Sequence, residues 1–151
     1  MILADFKDFP SQGRLLGIDW GARRIGVAIS DADQGFVFAR ERIENKPWSR
    51  IGVSAVADLI SAENIAGIVI GLPLRMDGSE SETTMAVRNF ARELTTYTNL
   101  PIVFVEENLT SFEAGDSMVG LKRGKINENI DSQSAKVILE NAIALMKRNF
   151  S

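Results

Sequence analysis

The chain has 151 residues, of which 45% are apolar and 25% are charged, as is typical of a folded domain with its own core. Its net charge of −3 argues weakly against a strongly basic nucleic-acid binder. The chain contains neither cysteine nor histidine, which excludes thiolate or imidazole metal sites and Ser-His-Asp triads. Acid–base or metal chemistry must therefore come from carboxylates, lysine, tyrosine or water.

The first residues differ from the rest of the chain. Residues 1–13 are punctuated by a proline and a glycine and hold no sustained apolar run, so we expect a flexible N-terminal lead. Residues 14–151 show neither an internal repeat nor a low-complexity linker, and they predict a single domain. The absence of cysteine fits a cytoplasmic protein, and we expect that location.

Three consecutive strands are predicted after this lead, over 15–18, 25–29 and 36–43. Gly21 supplies a tight turn between the first two strands, because glycine tolerates a positive φ. Large apolar residues in the second strand alternate with Gly26 and Ala28, as they do when one face of a strand is buried. Short turns make successive strands antiparallel, so this part of the chain predicts a meander.

The remaining segments predict helices alternating with strands. Apolar spacing and β-branched runs give a helix over 47–63, a strand over 65–71, a helix ending near 97, a strand over 101–105, a short helix after Thr110 and a final helix after Asp131. Ser79 and Glu82 have the spacing of a capping box for the second helix. The polar, basic segment 120–129 is expected to be a loop. This order predicts an α/β fold, with a mixed sheet of a meander plus parallel strands and helices on both faces.

Four carboxylates stand where strands end or where the last helix is expected to begin: Asp19, Glu106, Glu107 and Asp131. Successive strand residues point to opposite faces, so only one of the two glutamates can share a face with Asp19. Asp131 lies four residues before Ala135 and continues the apolar stripe of the final helix. Several acidic groups that converge without histidine or cysteine indicate a hard cation, Mg²⁺ or Mn²⁺.

Each carboxylate also has a structural interpretation. Asp19 can cap the turn by accepting bonds from nearby backbone N–H groups. Glu106 or Glu107 can be an exposed strand end, and Asp131 can be a helix N-cap. The joint pattern, rather than any one residue, favours a site.

Basic and hydroxyl residues supply candidate phosphate contacts. The basic ones gather at Arg14, Arg23 and Arg24 and again at Lys122, Arg123 and Lys125. Such clusters are either solvated surface or a grip on a phosphate backbone. Thr110 and Ser111 can offer hydroxyls and helix N-terminal N–H groups to a phosphate, or serve as a plain cap. The sequence shows no aromatic platform of the kind that reads unpaired bases.

Four motifs carry a family resemblance: GIDWGARRIGVAISD, IVIGLPLRMDGSES, VEENLTS and IDSQSAKVILE. In this order, from Leu15 to about Lys147, they resemble the YqgF, or RuvX-like, family of Holliday junction resolvases and pre-16S rRNA nucleases. The resemblance implies a ribonuclease H-like fold and metal-dependent cleavage of nucleic-acid phosphodiesters. It places Asp19, Glu107 and Asp131 at the acidic positions of the family.

The chain also departs from the family pattern. Glu106 stands where the family usually has aspartate, and Asn108 stands where it has arginine. The missing guanidinium removes one partner for a phosphate or a carboxylate. Ser134 replaces a common alanine at a small-residue position.

Taken with these carboxylates, the family resemblance implies a metal-dependent nuclease that processes the 5′ end of pre-16S rRNA in ribosome biogenesis, with structured RNA as its partner and ribosomal particles as a further candidate. The alternatives are a Holliday junction resolvase acting on branched DNA and a non-catalytic binder of nucleic acid or ribosomes. An ATPase of the related two-domain type is disfavoured, because 151 residues cannot supply both domains and no Walker-type loop is present.

Overall fold

The computed structural model describes residues 1–107 and 123–150, with side chains described for 1–107 and 133–148. The strands are β1 (Ile2–Leu3), β2 (Arg14–Asp19), β3 (Arg24–Ser30), β4 (Val37–Ala39), β5 (Ile43–Glu44), β6 (Ile65–Leu72) and β7 (Ile102–Glu106). The helices are α1 (Ile51–Ala62), α2 (Glu82–Leu94) and α3 (Arg123–Phe150). In the described residues, no helix is both long and apolar enough to cross a bilayer.

The strands form one mixed sheet in the order β1-β7-β6-β2-β3-β4, with β5 paired to β3. β3 runs antiparallel to β2 and to β4, which is the predicted meander. β6 pairs in parallel with β2, and β7 pairs in parallel with β6. The predicted mixed sheet is therefore confirmed.

Each face of the sheet is covered by helices. On one face, Ile18 and its neighbours pack in a core with α1 and α2, which contribute Val56 and Phe90. On the other face, Leu15 and Val69 pack in a second core with α3. Complete burial of one such aliphatic side chain stabilises the fold by about 1.5–3 kcal/mol, so the two cores hold the sheet as the middle layer of three.

The predicted third strand is divided in two by a β-bulge. Ala39 pairs with Ala28 and Ile43 pairs with Ile25, so residues 40–42 of this strand lie opposite only two residues of β3. The extra residue reverses the alternation of side chains. Ile43 therefore returns to the core on the α1 side.

Part of the predicted N-terminal lead is built into the fold. β1 pairs with β7 in parallel, with Ile2 opposite Ile102. Phe9 is 6% exposed and packs in the α3-side core, with its ring edge-on to Phe6. The structure thus places β1 at one edge of the sheet and Phe9 beneath α3. The sequence of residues 1–13, which has no sustained apolar run, does not indicate either contact.

The predicted capping box of α2 is wrong by two residues. Ser81, not Ser79, is the N-cap, and its Oγ accepts a bond from the Thr84 N–H at 3.2 Å. Thr84 Oγ1 accepts in return from the Ser81 N–H at 2.9 Å and donates to the Pro73 carbonyl. Ser79 instead bonds Asp77 within the preceding loop. The Ser81–Thr84 pair forms the cap because Thr84 is buried, and a buried hydroxyl needs hydrogen-bond partners.

The predicted start of the last helix is also wrong. α3 begins at Arg123, so the described part of the expected 120–129 loop is helical and Asp131 lies inside the helix. An N-cap role for Asp131 is therefore excluded. The segment is polar but contains no proline, and composition alone cannot separate an exposed helix from a loop. The short helix predicted after Thr110 falls outside the described residues.

Replacing Gly17 by alanine should destabilise the protein. A Cβ atom at this position would lie 2.7 Å from Leu139 Cβ and 2.9 Å from the Ala135 carbonyl oxygen, so α3 would have to move. We expect a loss of about 1–3 kcal/mol in the free energy of unfolding, measured by urea denaturation. Gly35→Ala is the matched control, because a Cβ there meets nothing within 4 Å. Equal stability of the two variants would contradict the close packing of α3 on β2.

Candidate active site

Asp19 ends β2 on the side of the sheet that faces α3. Leu15 of the same strand lies in the α3-side core, and Gly17 lies directly against Leu139. Alternate residues share a face, so Asp19 continues this row at the point where β2 ends. Its side chain is placed at the edge of the α3-side core and partly exposed.

Glu107, directly after β7, lies on the same α3-facing side of the sheet as Asp19. Val103 and Val105 of β7 pack in the α3-side core, and Glu107 follows the last residue of the strand. Its carboxyl carbon lies 3.5 Å from the position that a Cβ atom would take on Gly71. Glu106 belongs to the opposite row, in which Phe104 packs in the α1-side core. Of the two glutamates, only Glu107 therefore shares a face with Asp19.

Gly71 lies on the strand between those that lead to these two carboxylates. β6 lies between β2 and β7, and Ile18 pairs with Ile70, so Asp19 comes level with Gly71. A Cβ on Gly71 would lie 2.6 Å from Ile138 Cδ1, which shows how closely α3 approaches the strand here. The missing side chain at Gly71 thus makes room for Ile138 of α3, and the Glu107 carboxyl group lies beside this contact.

Asp131 is brought near this edge by the direction of α3. Ile138 lies against Gly71, whereas Ile143 and Met146 pack with Phe9, which lies against Gly67 near the start of β6. The helix therefore runs from the carboxyl end of β6 toward its beginning, and Asp131 precedes the described contacts. Its side chain is outside the described set. Among the side chains that are described, no three acidic residues form a metal-binding group.

The predicted phosphate-binding residues are separated by the structure. Arg23 and Arg24 are exposed beside the end of β2, where Asp19 pairs with Gly26 of β3. Buried Asn45 fixes this turn: its Nδ2 donates to the Gly21 carbonyl at 2.7 Å, and its backbone N–H donates to the Arg23 carbonyl at 2.8 Å. Arg14 lies at the opposite end of β2 and pairs with Glu63 instead.

The second predicted group cannot be located at side-chain level. Thr110, Ser111 and Lys122 lie outside the described residues. Arg123 and Lys125 belong to the first turn of α3, and their side chains are not among those described. Their contacts with phosphate remain predictions.

A folded loop over residues 73–81 joins β6 to α2 at the end of the sheet where Asp19 and Glu107 lie. Leu74 pairs with Glu80 across it, and Asp77 Oδ1 accepts from the Ser79 N–H at 2.9 Å. Glu80 is held in turn by Arg88 of α2 at 2.7 Å. Met76 at the tip is fully exposed. The sequence places this loop correctly but gives no sign of its exposed apolar tip.

The sheet order and the acid-bearing edge define a protein of the ribonuclease H-like fold class. The fold is similar to that of RuvC from Thermus thermophilus, solved in complex with a Holliday junction substrate, with a TM-score of 0.56 and 10% identity over 89% of this chain and 95% of that chain. It is also similar to the yeast mitochondrial Holliday junction resolvase Ydc2, with a TM-score of 0.50 and 14% identity over 93% of this chain and 82% of that chain.

The chain belongs to the RuvX family, described as Holliday junction resolvase, whose profile matches residues 13–145. A relative from Maridesulfovibrio salexigens is 43% identical over 87% of this chain and 98% of its own length. Another from Sphingopyxis alaskensis is 38% identical over 98% of this chain and 100% of its own length. Both carry the name "Putative pre-16S rRNA nuclease". The resemblance to the YqgF, or RuvX-like, family is thereby confirmed.

Gly71→Ala should lower stability through one identifiable contact. The new Cβ would strike Ile138 Cδ1 at 2.6 Å while touching the Glu107 carboxyl carbon at only 3.5 Å, an ordinary contact. We expect a loss of about 1–3 kcal/mol in the free energy of unfolding. Ile138→Val removes the clashing atom and should restore much of that loss. A double-mutant cycle measured by urea denaturation should therefore be non-additive, and simple addition of the two losses would refute the contact.

Proposed function

We propose that this protein is a metal-dependent nuclease that hydrolyses phosphodiester bonds of structured RNA, and that it processes the 5′ end of pre-16S rRNA in the cytoplasm. The observation that carries the proposal is the approach of Glu107 to Gly71 on the side of the sheet where Asp19 ends β2. Membership of the RuvX family, with relatives named as pre-16S rRNA nucleases, supports the substrate.

The donor atoms of this edge fit a hard divalent cation, Mg²⁺ or Mn²⁺. The chain has no histidine or cysteine, so its anionic ligands are carboxylates. Asp19 comes level with Gly71 from one neighbouring strand, and the Glu107 carboxyl group lies beside the same glycine from the other side. We assign Asp19, Glu107 and Asp131 as its ligands. When bound, such an ion activates water and neutralises charge on the leaving oxygen.

The chain itself would position the substrate. Arg23 and Arg24 stand exposed at the same end of the sheet, on a turn fixed by Asn45, and are suited to phosphate contacts. Thr110, Ser111, Lys122, Arg123 and Lys125 are proposed to extend these contacts. Ribosomal particles are the proposed setting, because the precursor RNA is assembled there.

A resolvase acting on branched DNA is the second candidate. The family description favours it, and the structural neighbours include a protein solved with a Holliday junction. Those neighbours are 10–14% identical, however, and show the fold alone. Relatives that match over nearly their full length carry the RNA name, so RNA is preferred. A non-catalytic binder is disfavoured, because converging carboxylates without a cation repel each other.

The protein should cleave a pre-16S rRNA fragment in Mg²⁺ or Mn²⁺, and Asp19→Asn should abolish cleavage while the fold persists. Asparagine keeps the shape of aspartate but removes the charge that holds the cation. We expect the cleavage rate to fall by orders of magnitude. We also expect Mn²⁺ to raise the melting temperature of the wild-type protein more than that of the variant. A four-way DNA junction tested in parallel separates the two substrates. Cleavage by Asp19→Asn at the wild-type rate would end the proposal.

Glu106→Gln and Glu107→Gln form a matched pair on adjacent residues. Only Glu107 lies over Gly71, so its variant should lose most cleavage, whereas Glu106→Gln should retain it within a few-fold. Both variants remove one negative charge and preserve side-chain size, which controls for net charge and packing. The measurement is the cleavage rate across a Mn²⁺ titration. A larger loss for Glu106→Gln would show that the other row of β7 carries the ligand.

A further inference from the structure

Two phenylalanine side chains stand in solvent at the edge of the sheet. Phe36 is 69% exposed and Phe38 is 56% exposed, on and beside β4, the last strand on this side of the described sheet. Val37 between them packs in the α3-side core, so both rings lie on the opposite side of the strand. Successive residues on one side of a strand are about 6.6 Å apart. The rings are therefore neighbours, and together they form the β4 aromatic edge.

The backbone holds these rings in place. Asp31 Oδ1 accepts bonds from the N–H groups of Gly35 at 2.8 Å and Phe36 at 3.2 Å. The Asp31 N–H donates to the Phe36 carbonyl at 3.0 Å. Gln34 is buried, and its Nε2 donates to the carbonyls of Pro10 and Gly13. The turn is thus fixed by side chains, which lowers the entropy cost of binding a partner.

Positive charge lies next to the rings on the same side of the strand. Arg40 follows Phe38 in the row, with its N–H donating to the Val27 carbonyl at 2.8 Å. Nη1 of Arg40 and Nη1 of Arg14 lie 3.0 and 3.2 Å from the same oxygen of Glu63. The hydrogen bond from Arg40 and its positive charge, together with the positive charge of Arg14, hold the pKa of Glu63 below its ordinary value. Two guanidinium groups thus share one ionised carboxylate, and the cluster has a net charge of +1.

A cavity of about 380 Å³ opens beside Phe36 between the β4 turn and α3. Lys136, Lys147 and Glu140 line it, which again leaves one net positive charge. Each of these two groups thus offers one net positive charge to an anionic partner, while the Asp31 carboxylate beside Phe36 accepts from the N–H groups of Gly35 and Phe36.

We infer that the β4 aromatic edge binds an unpaired stretch of the nucleic-acid substrate, with bases stacked on Phe36 and Phe38 and phosphates beside Arg14 and Arg40. The assignment of nucleic acid as substrate rests on the proposed function. Unpaired bases offer their faces to aromatic rings, whereas paired bases are already stacked within their duplex. Phe38 lies level with Leu16 of β2, and both rings are on the sheet face opposite the one that carries Asp19, so the β4 aromatic edge is a binding surface separate from the candidate active site.

The test measures binding apart from cleavage. Full-length protein is titrated in EDTA with nuclease-resistant, fluorescently labelled pyrimidine oligonucleotides, one 2′-O-methyl RNA and one phosphorothioate DNA, and with a duplex of each. The Phe36→Ala/Phe38→Ala variant should bind the unpaired strands about 5- to 100-fold more weakly for each stacked base. Its affinity for the duplexes should change less than twofold. The RNA and DNA arms decide which backbone is preferred.

Control variants separate stacking from other causes. Phe36→Tyr/Phe38→Tyr keeps the rings and should bind as the wild type does, whereas Phe36→Leu/Phe38→Leu keeps apolar surface and should lose affinity. Tyr97→Ala removes another partly exposed aromatic residue, which lies after α2, and should leave binding unchanged. Melting curves confirm that each variant is folded.

Two results would overturn the inference. One is equal affinity of the alanine pair and the wild type for unpaired strands. The other is a lower sedimentation mass for the alanine pair than for the wild type, with unchanged affinity for the oligonucleotides. That result would make this edge a contact between two copies of the chain. Because the titration contains no metal, loss of cleavage in Asp19→Asn does not bear on it. Binding without any cleavage by the wild type would refute the proposed nuclease and leave the inference standing.

Discussion

The close approach of α3 to the sheet at two glycines is the constraint on which the rest of the structure depends. A Cβ on Gly17 would lie within 3 Å of Leu139 Cβ and the Ala135 carbonyl oxygen, and a Cβ on Gly71 would lie within 3 Å of Ile138 Cδ1. This contact seals the second core, since a layer without it would leave Leu15 and Val69 open to water. It also determines which residues of α3 lie beside which residues of β2 and β6. One packing choice therefore fixes both the stability of the middle layer and the position of Asp131.

The position of the acidic edge explains why it is tolerable in a folded protein. Carboxylates near an apolar core are costly unless they are paired or hydrated. Asp19 and Glu107 stand at the ends of their strands, where the core stops and their side chains are only partly buried. The fold thus concentrates negative charge at its rim rather than in its interior.

The sequence predicted the features that follow a strict period, and it missed those that depend on contacts distant in the chain. The meander follows from the short turns between its strands, and alternation along β7 showed that only one of Glu106 and Glu107 could share a face with Asp19. The family resemblance, not alternation, favoured Glu107. The bulge at residues 40–42 and the burial of Phe9 arise from partners far along the chain. The capping box was misplaced because two serine-containing patterns compete, and the burial of Thr84 decides between them. An aromatic platform was not expected, because composition cannot show that Phe36 and Phe38 face solvent while Val37 faces the core.

The pairing of β1 with β7 has a consequence for how the chain reaches its native state. Ile2 meets Ile102, whereas the β2–β4 meander joins residues close along the chain. Bringing distant segments together costs more loop-closure entropy and slows their association. The meander can therefore form early, but the outer side of β7 stays unpaired until the beginning of the chain returns to it. During synthesis on the ribosome, β1 must wait until β7, about 100 residues further along the chain, has been made before it finds its partner, and in the finished molecule the same edge is expected to open first.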